Sequence, residues 1–173
     1  MKEKGFGGGN TITGLNFEKA TNILSLLKSK KGYKVKGSVI FYQNKEVARS
    51  YRKNELYKFL ETENINYEKI VSKKLLPDEA LYVIVNNTLF IIEMKFQKVA
   101  GSVDEKLQTC DFKRKQYAKL MAPLNIEVEY IYILSDWFRK PQYKDVLDYI
   151  ISVGCQFYFK YLPLQKLGLP VPL

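Results

Sequence analysis

Residues 75–97 read LLPDEALYVIVNNTLFIIEMKFQ, and the fold of the chain turns on how this stretch is arranged. Two runs rich in β-branched and aromatic residues flank Asn86-Asn87, a pair suited to a tight turn, so a β-hairpin is expected. Side chains alternate between faces along a strand. Glu93, Lys95 and Gln97, at i, i+2 and i+4, therefore point the same way from a sheet whose other face is filled by hydrocarbon. Pro77 restricts the backbone immediately before Asp78, and the hairpin carries Asp78 back towards Glu93. Two carboxylates and one lysine then converge at one edge.

The chain has 173 residues, enough for one domain with a real core. A single domain over 1–173 is expected, with a flexible glycine-rich lead-in at about 1–14 that contains no phosphate-loop GK[ST]. At 46% hydrophobic and 27% charged residues the composition is that of a globular protein, without an apolar run long enough for a bilayer. The opening MKEKGFGGGN lacks the apolar core of a signal peptide, and Cys110 and Cys155 match no metal-ligand spacing. These features point to a cytoplasmic protein with reduced core thiols and no membrane partner. Lys+Arg 28 against Asp+Glu 18 gives a net charge of +10, which favours a polyanionic partner, nucleic acid above all. The chain has no histidine, which excludes Ser-His-Asp and Cys-His nucleophiles and His-ligated zinc.

Outward from the hairpin, an apolar stripe at Phe17, Ala20, Ile23, Leu24 and Leu27 predicts a helix over 16–28 with Glu18 in its first turn. After the basic stretch 28–36, strands are expected at 38–42 and 46–51 around a Gln43-Asn44-Lys45 turn, then a short helix ending near Asn64. Beyond Gln97, one helix is expected over 102–122. Ser102 is its N-cap, Glu105 stands at the capping-box position, and Val103, Leu107, Cys110, Tyr117 and Met121 are buried. Ser102, Lys106, Lys113, Arg114 and Lys115 on this helix are the candidate DNA contacts, with Gln116 either a phosphate contact or plain helix surface. A buried strand at 126–134, a helix at 143–153 and a last strand at 156–161 complete an α/β arrangement, a mixed central β-sheet flanked by helices.

Two carboxylates meeting in a basic, histidine-free chain suit a hard divalent cation. Magnesium takes oxygen ligands, keeps several waters and is held by one or two carboxylates plus substrate phosphate. The expected ligands are Asp78, Glu93 and the Met94 backbone carbonyl, with Lys95 acting on water or phosphate and manganese expected to substitute. Gln97 either binds phosphate or water or is a solvated strand end.

The pattern Pro77-Asp78, then Glu93-Met94-Lys95 on an apolar strand, resembles the PD-(D/E)XK nuclease superfamily, and the element order over 16–161 is similar. The resemblance implies a restriction-endonuclease-like core in which the aspartate and glutamate bind magnesium and the lysine assists the attacking water. In that superfamily an acidic residue of the first helix sometimes joins the outer shell of the metal, a role only Glu18 matches here. The compact chain looks most like a small Type II restriction endonuclease, which implies magnesium-dependent, sequence-specific cleavage of double-stranded DNA. One site per chain implies a homodimer on a palindrome, or a heterodimer in which a larger subunit accompanies a small catalytic one. A structure-specific enzyme such as a Holliday-junction resolvase, and a DNA-binding protein without catalysis, are the alternatives. Arg49, Arg52, Lys53, Asn54, Arg139, Lys140 and Gln142 lie in polar connections suited to base or phosphate contact.

Overall fold

A computed structural model describes residues 13–18, 22–99 and 101–173. In chain order the elements are β1 (Gly14–Asn16), α1 (Ile23–Lys28), β2 (Tyr33–Lys36), β3 (Val39–Tyr42), β4 (Lys45–Ser50), α2 (Glu55–Thr62), β5 (Glu79–Val83) and β6 (Thr88–Lys95). There follow α3 (Val103–Leu107), α4 (Cys110–Met121), β7 (Glu127–Leu134), α5 (Lys144–Ser152), β8 (Gln156–Phe159) and β9 (Tyr161–Pro163). Short 3-10 turns lie between several of them. Strands β2 to β8 form one seven-stranded sheet in sequence order, while β1 and β9 pair separately.

The sheet is mixed. Strands β2 to β6 run as an antiparallel meander, whereas β6, β7 and β8 are parallel neighbours. Alternation along the strands divides the core in two. Leu89 and Ile91 of β6 join Tyr130, Tyr132 and Leu134 of β7 beneath α2, α4 and α5, while Phe90, Ile92, Ile131 and Ile133 pack on the opposite face beneath α1 and the C-terminal segment. Full burial of each such aliphatic side chain contributes about 1.5–3 kcal/mol. Asn87 takes the left-handed backbone (φ 49°) that the turn of the β5–β6 hairpin requires. Among the described residues no helix is long and apolar enough to cross a membrane.

Several expected elements differ in extent. The helix predicted over 16–28 covers only Ile23–Lys28. Residues 14–16 are instead strand β1, and Glu18 lies in the turn after it. Two asparagines set these boundaries: the Asn16 side chain accepts from the Glu18 N–H at 2.9 Å, and Asn22 accepts from Leu24 N–H at 2.9 Å, capping the helix. Ala20 of the expected stripe lies outside the described residues, as does the glycine-rich lead-in up to residue 12. Gly14 is part of β1, where a Cβ would sit 2.3 Å from the Tyr161 ring, so the strand pairing needs the absent side chain.

The basic stretch before residue 38 holds an additional strand, β2, with Tyr33 buried and Lys34 exposed. The helix expected over 102–122 is broken into α3 and α4. The Thr109 hydroxyl donates to the Lys106 carbonyl at 2.8 Å, taking an acceptor that an unbroken helix would offer to the N–H of Cys110. Ser102 occupies the N-cap position without a side-chain hydrogen bond, so the capping box does not form. The strand predicted over 156–161 is split by Lys160, whose φ of 57° turns the chain out of the main sheet and towards β1.

Replacing Ile91, which is fully buried at the sheet centre, by Ala should cost about 2–5 kcal/mol of stability. The same truncation at Val85, 79% exposed in the hairpin turn, should change stability by no more than about 0.5 kcal/mol. Urea-unfolding midpoints of the two variants check this.

Candidate active site at the end of strand β6

The approach to Asp78 is tied down from several directions. The Tyr57 hydroxyl donates to the Leu75 carbonyl and accepts from the Leu75 N–H, both at 2.8 Å. Lys53 N–H donates to the Pro77 carbonyl at 3.1 Å, and Tyr51 N–H to Ala80 at 2.7 Å. Arg52 Nε reaches both the Asp78 carbonyl (3.3 Å) and Glu79 Oε1 (3.2 Å). These contacts hold Asp78 one step beyond the Glu79–Ile92 pair of the hairpin, the register position opposite Glu93. Its carboxylate pairs with Lys53 Nζ at 2.6 Å.

Glu93 is only 6% exposed, near the end of β6. Isolated, a carboxylate so placed would be strongly destabilised. Lys113 Nζ lies 2.9 Å from Oε1 and 3.2 Å from Oε2, and Lys95 Nζ lies 3.2 Å from Oε2. Burial pushes the Glu93 pKa up, but the neighbouring Tyr130 hydroxyl, Lys113 and Lys95 outweigh it, and the group ends below the ordinary carboxylate value. Tyr130 acts here as an adjacent polar group, since its hydroxyl completes no hydrogen bond of normal geometry among the described residues. Tyr117 of α4 is nearly fully buried on this face of the sheet. Its pKa is raised by burial first, then by Tyr57 and by the negative charges of both Glu93 and Asp78.

Asp78, Glu93 and Lys95 thus meet at one rim, and Lys113 and Lys53 join them. Of the other candidates, Glu18 pairs with Lys160 Nζ at 2.7 Å, at the end of β8. Strand β6 ends at Lys95, so Gln97 lies beyond the alternation that would align it with Glu93. Its backbone N–H instead donates to Ser135 Oγ at 3.1 Å, and its side-chain amide donates to the Val99 carbonyl. Ser102 and Lys106 are exposed on α3. Arg114 turns inward to the Val153 carbonyl at 3.3 Å, and Lys115 pairs with Asp111 at 2.7 Å.

Two charged residues take places that the sequence does not reveal, Lys113 within this site and Glu79 behind it. Lys113 looked like one of several surface cations on a basic helix. Its spacing of four from the buried Tyr117 was the available signal, because i and i+4 share a helix face. Glu79, adjacent to Asp78, alternates to the opposite face and is fully buried under α1. Its Oε1 accepts from Ile23 N–H at 3.4 Å and pairs with Arg52, while Oε2 has no partner among the described residues. Burial pushes its pKa up to about 7, against the opposing pull of Arg52 and the Ile23 N–H.

Among the described residues no three His, Cys, Asp or Glu side chains gather into a metal-binding group. Asp78 and Glu93 offer oxygen donors only, a chemistry that fits magnesium, an ion that retains several waters, and does not fit a structural zinc site. Compared with family models, curated proteins and solved structures, the chain matches none.

The Glu79 pKa is raised on folding from 4.5 to about 7, so the fold favours its protonated form. That contribution is complete below about pH 4.5 and is lost as pH rises through 7. Glu79→Gln should therefore gain stability relative to the parent between pH 4 and pH 8, by on the order of 3 kcal/mol. Urea titrations across that range, without divalent cations, measure the difference.

Proposed function

We propose that the chain is a magnesium-dependent endonuclease of PD-(D/E)XK type that hydrolyses phosphodiester bonds of double-stranded DNA at a specific sequence. The observation that carries this reading is Glu93: a nearly buried acid kept ionised at the rim of the sheet, with Lys95 at 3.2 Å and Asp78 at the opposing register position. A surface ion pair needs no such burial. The mixed sheet, with an antiparallel hairpin on one side of β6 and a helical crossover to a parallel strand on the other, is consistent with a restriction-endonuclease-like core.

In this reading Asp78, Glu93 and the Met94 carbonyl hold the cation. Bound there, magnesium supplies Lewis-acid polarisation of a phosphoryl oxygen and a more acidic water. Lys95 Nζ donates hydrogen bonds to the attacking water or to a non-bridging oxygen, offsetting the charge that builds up in the transition state. Lys113 keeps the Glu93 carboxylate ionised and oriented. The +10 net charge supplies attraction to the phosphate backbone, with exposed Lys106 and Lys115 and the α3 start at Ser102 on its path. A duplex has two strands and each chain has one site, so a homodimer related by a two-fold axis is the arrangement that cuts both. With a larger subunit as partner, the chain would cut one strand. The two free, buried cysteines accord with a role in the reducing cytoplasm.

Incubation with magnesium and a long linear duplex should yield discrete fragments whose sequenced ends share one motif. Glu93→Gln and Lys95→Ala should each reduce cleavage at least about 100-fold while duplex affinity stays within a few-fold, since a group acting in the transition state affects rate before binding. Cleavage confined to four-way junctions would replace the restriction reading by a resolvase, and tight binding with no hydrolysis would leave a DNA-binding protein. Affinity should also fall steeply with salt, by about 0.9 in log K per unit of log salt for each phosphate contact.

A further inference from the structure

The two carboxylates of the site carry different kinds of counterion. Glu93 is held by two lysines whose side chains are 26% and 23% exposed, and its own side chain is 8% exposed. Removing either lysine leaves a buried charge undercompensated. Among the described residues Asp78 has a single lysine, Lys53, through one contact at 2.6 Å, and the Lys53 and Asp78 side chains are 50% and 36% exposed. A solvated pair of this kind favours association of its partners by no more than about fivefold. A divalent cation shared by Asp78 and Glu93 offers each carboxylate twice the charge of an ammonium. The contact that yields to it is the exposed one.

The backbone beneath Lys53 does not yield with it. Lys53 has φ 49°, in the left-handed region, and its N–H is bound to the Pro77 carbonyl at 3.1 Å. The preceding residue, Arg52, grips the Asp78 carbonyl at 3.3 Å and the buried Glu79 at 3.2 Å. The ammonium is therefore on a flexible four-carbon stem whose root is anchored to the segment that carries Asp78. Displaced from the carboxylate, it stays within a side chain's length of the cation, where a substrate phosphate would lie.

We infer that Lys53 is an exchangeable counterion of Asp78: it neutralises the carboxylate in the cation-free protein and, once a divalent cation takes its place, becomes a phosphate contact for the DNA strand. This rests on the nuclease reading of the site. Lys53 thus couples cation binding to DNA binding. The protein carries one fewer phosphate contact without the cation than with it.

The test uses calcium, an oxygen-seeking cation, as the probe. Lys53→Asn is the variant of choice because asparagine tolerates the left-handed backbone at this position, and Lys53→Arg keeps the charge. By calorimetry, Lys53→Asn should bind calcium about two- to fivefold more tightly than the parent, and Lys53→Arg should resemble the parent. With duplex DNA, the slope of log K against log salt should be shallower for Lys53→Asn by about 0.9 in calcium and unchanged in chelator. Calcium affinity that is unaltered or weaker in Lys53→Asn, or a slope change of equal size with and without calcium, overturns the inference and leaves the nuclease site standing. A parent protein that binds no calcium, under conditions where Glu93→Gln also binds none, overturns the cation site itself.

Discussion

Glu93 is a carboxylate that the sheet nearly buries, and the surrounding architecture exists in a form that can neutralise it. A lone charge at that depth would lose its hydration without return. Two ammonium groups within 3.2 Å restore the balance, one from its own strand and one from α4. This requirement constrains the helix as much as the strand. Lys113 must reach the rim while Cys110, Tyr117, Leu120 and Met121 of the same helix stay in the core, which fixes the rotation of α4 about its axis.

The topology explains how groups from distant parts of the chain reach one place. Strand β6 is where the sheet changes from antiparallel to parallel. Its antiparallel neighbour arrives by a hairpin and brings Asp78 to the position opposite Glu93. Its parallel neighbour requires a crossover, and that crossover is the α3–α4 segment that delivers Lys113. One acid comes from the hairpin side and one lysine from the crossover side. The connection between β4 and α2 adds Arg52 and Lys53, which bind the backbone and the carboxylate of Asp78 respectively.

The acidic neighbours Asp78 and Glu79 have opposite surroundings because a strand directs consecutive side chains to opposite faces. Asp78 faces the rim, with a solvated lysine beside it. Glu79 faces the layer under α1, where burial holds its pKa near 7 and one oxygen lacks a partner. Arg52 links the two, so the less stable member of the pair is also part of what orients the other.

Much of this was legible in the amino-acid sequence. The Asn86-Asn87 turn between two apolar runs indicated the hairpin, period-two alternation put Glu93 and Lys95 on one face, and the Leu107, Cys110, Tyr117, Met121 stripe identified the buried side of a basic helical segment. Such signals act within a few residues, and local conformation obeys them. Other features depended on competition that spacing does not reveal: Asn16 and Asn22 shortened the first helix and left Glu18 beside Lys160, Thr109 broke the helix after Leu107, and Lys160 ended β8. The sequence by itself thus determined the hairpin, the mixed α/β character and the acid–acid–lysine set. Only the tertiary structure decided that Lys113, twenty residues beyond Glu93 and indistinguishable from its basic neighbours in sequence, is the cation that the buried carboxylate holds. The reason is physical: which charge compensates a desolvated one depends on the depth and rotation at which separate elements pack.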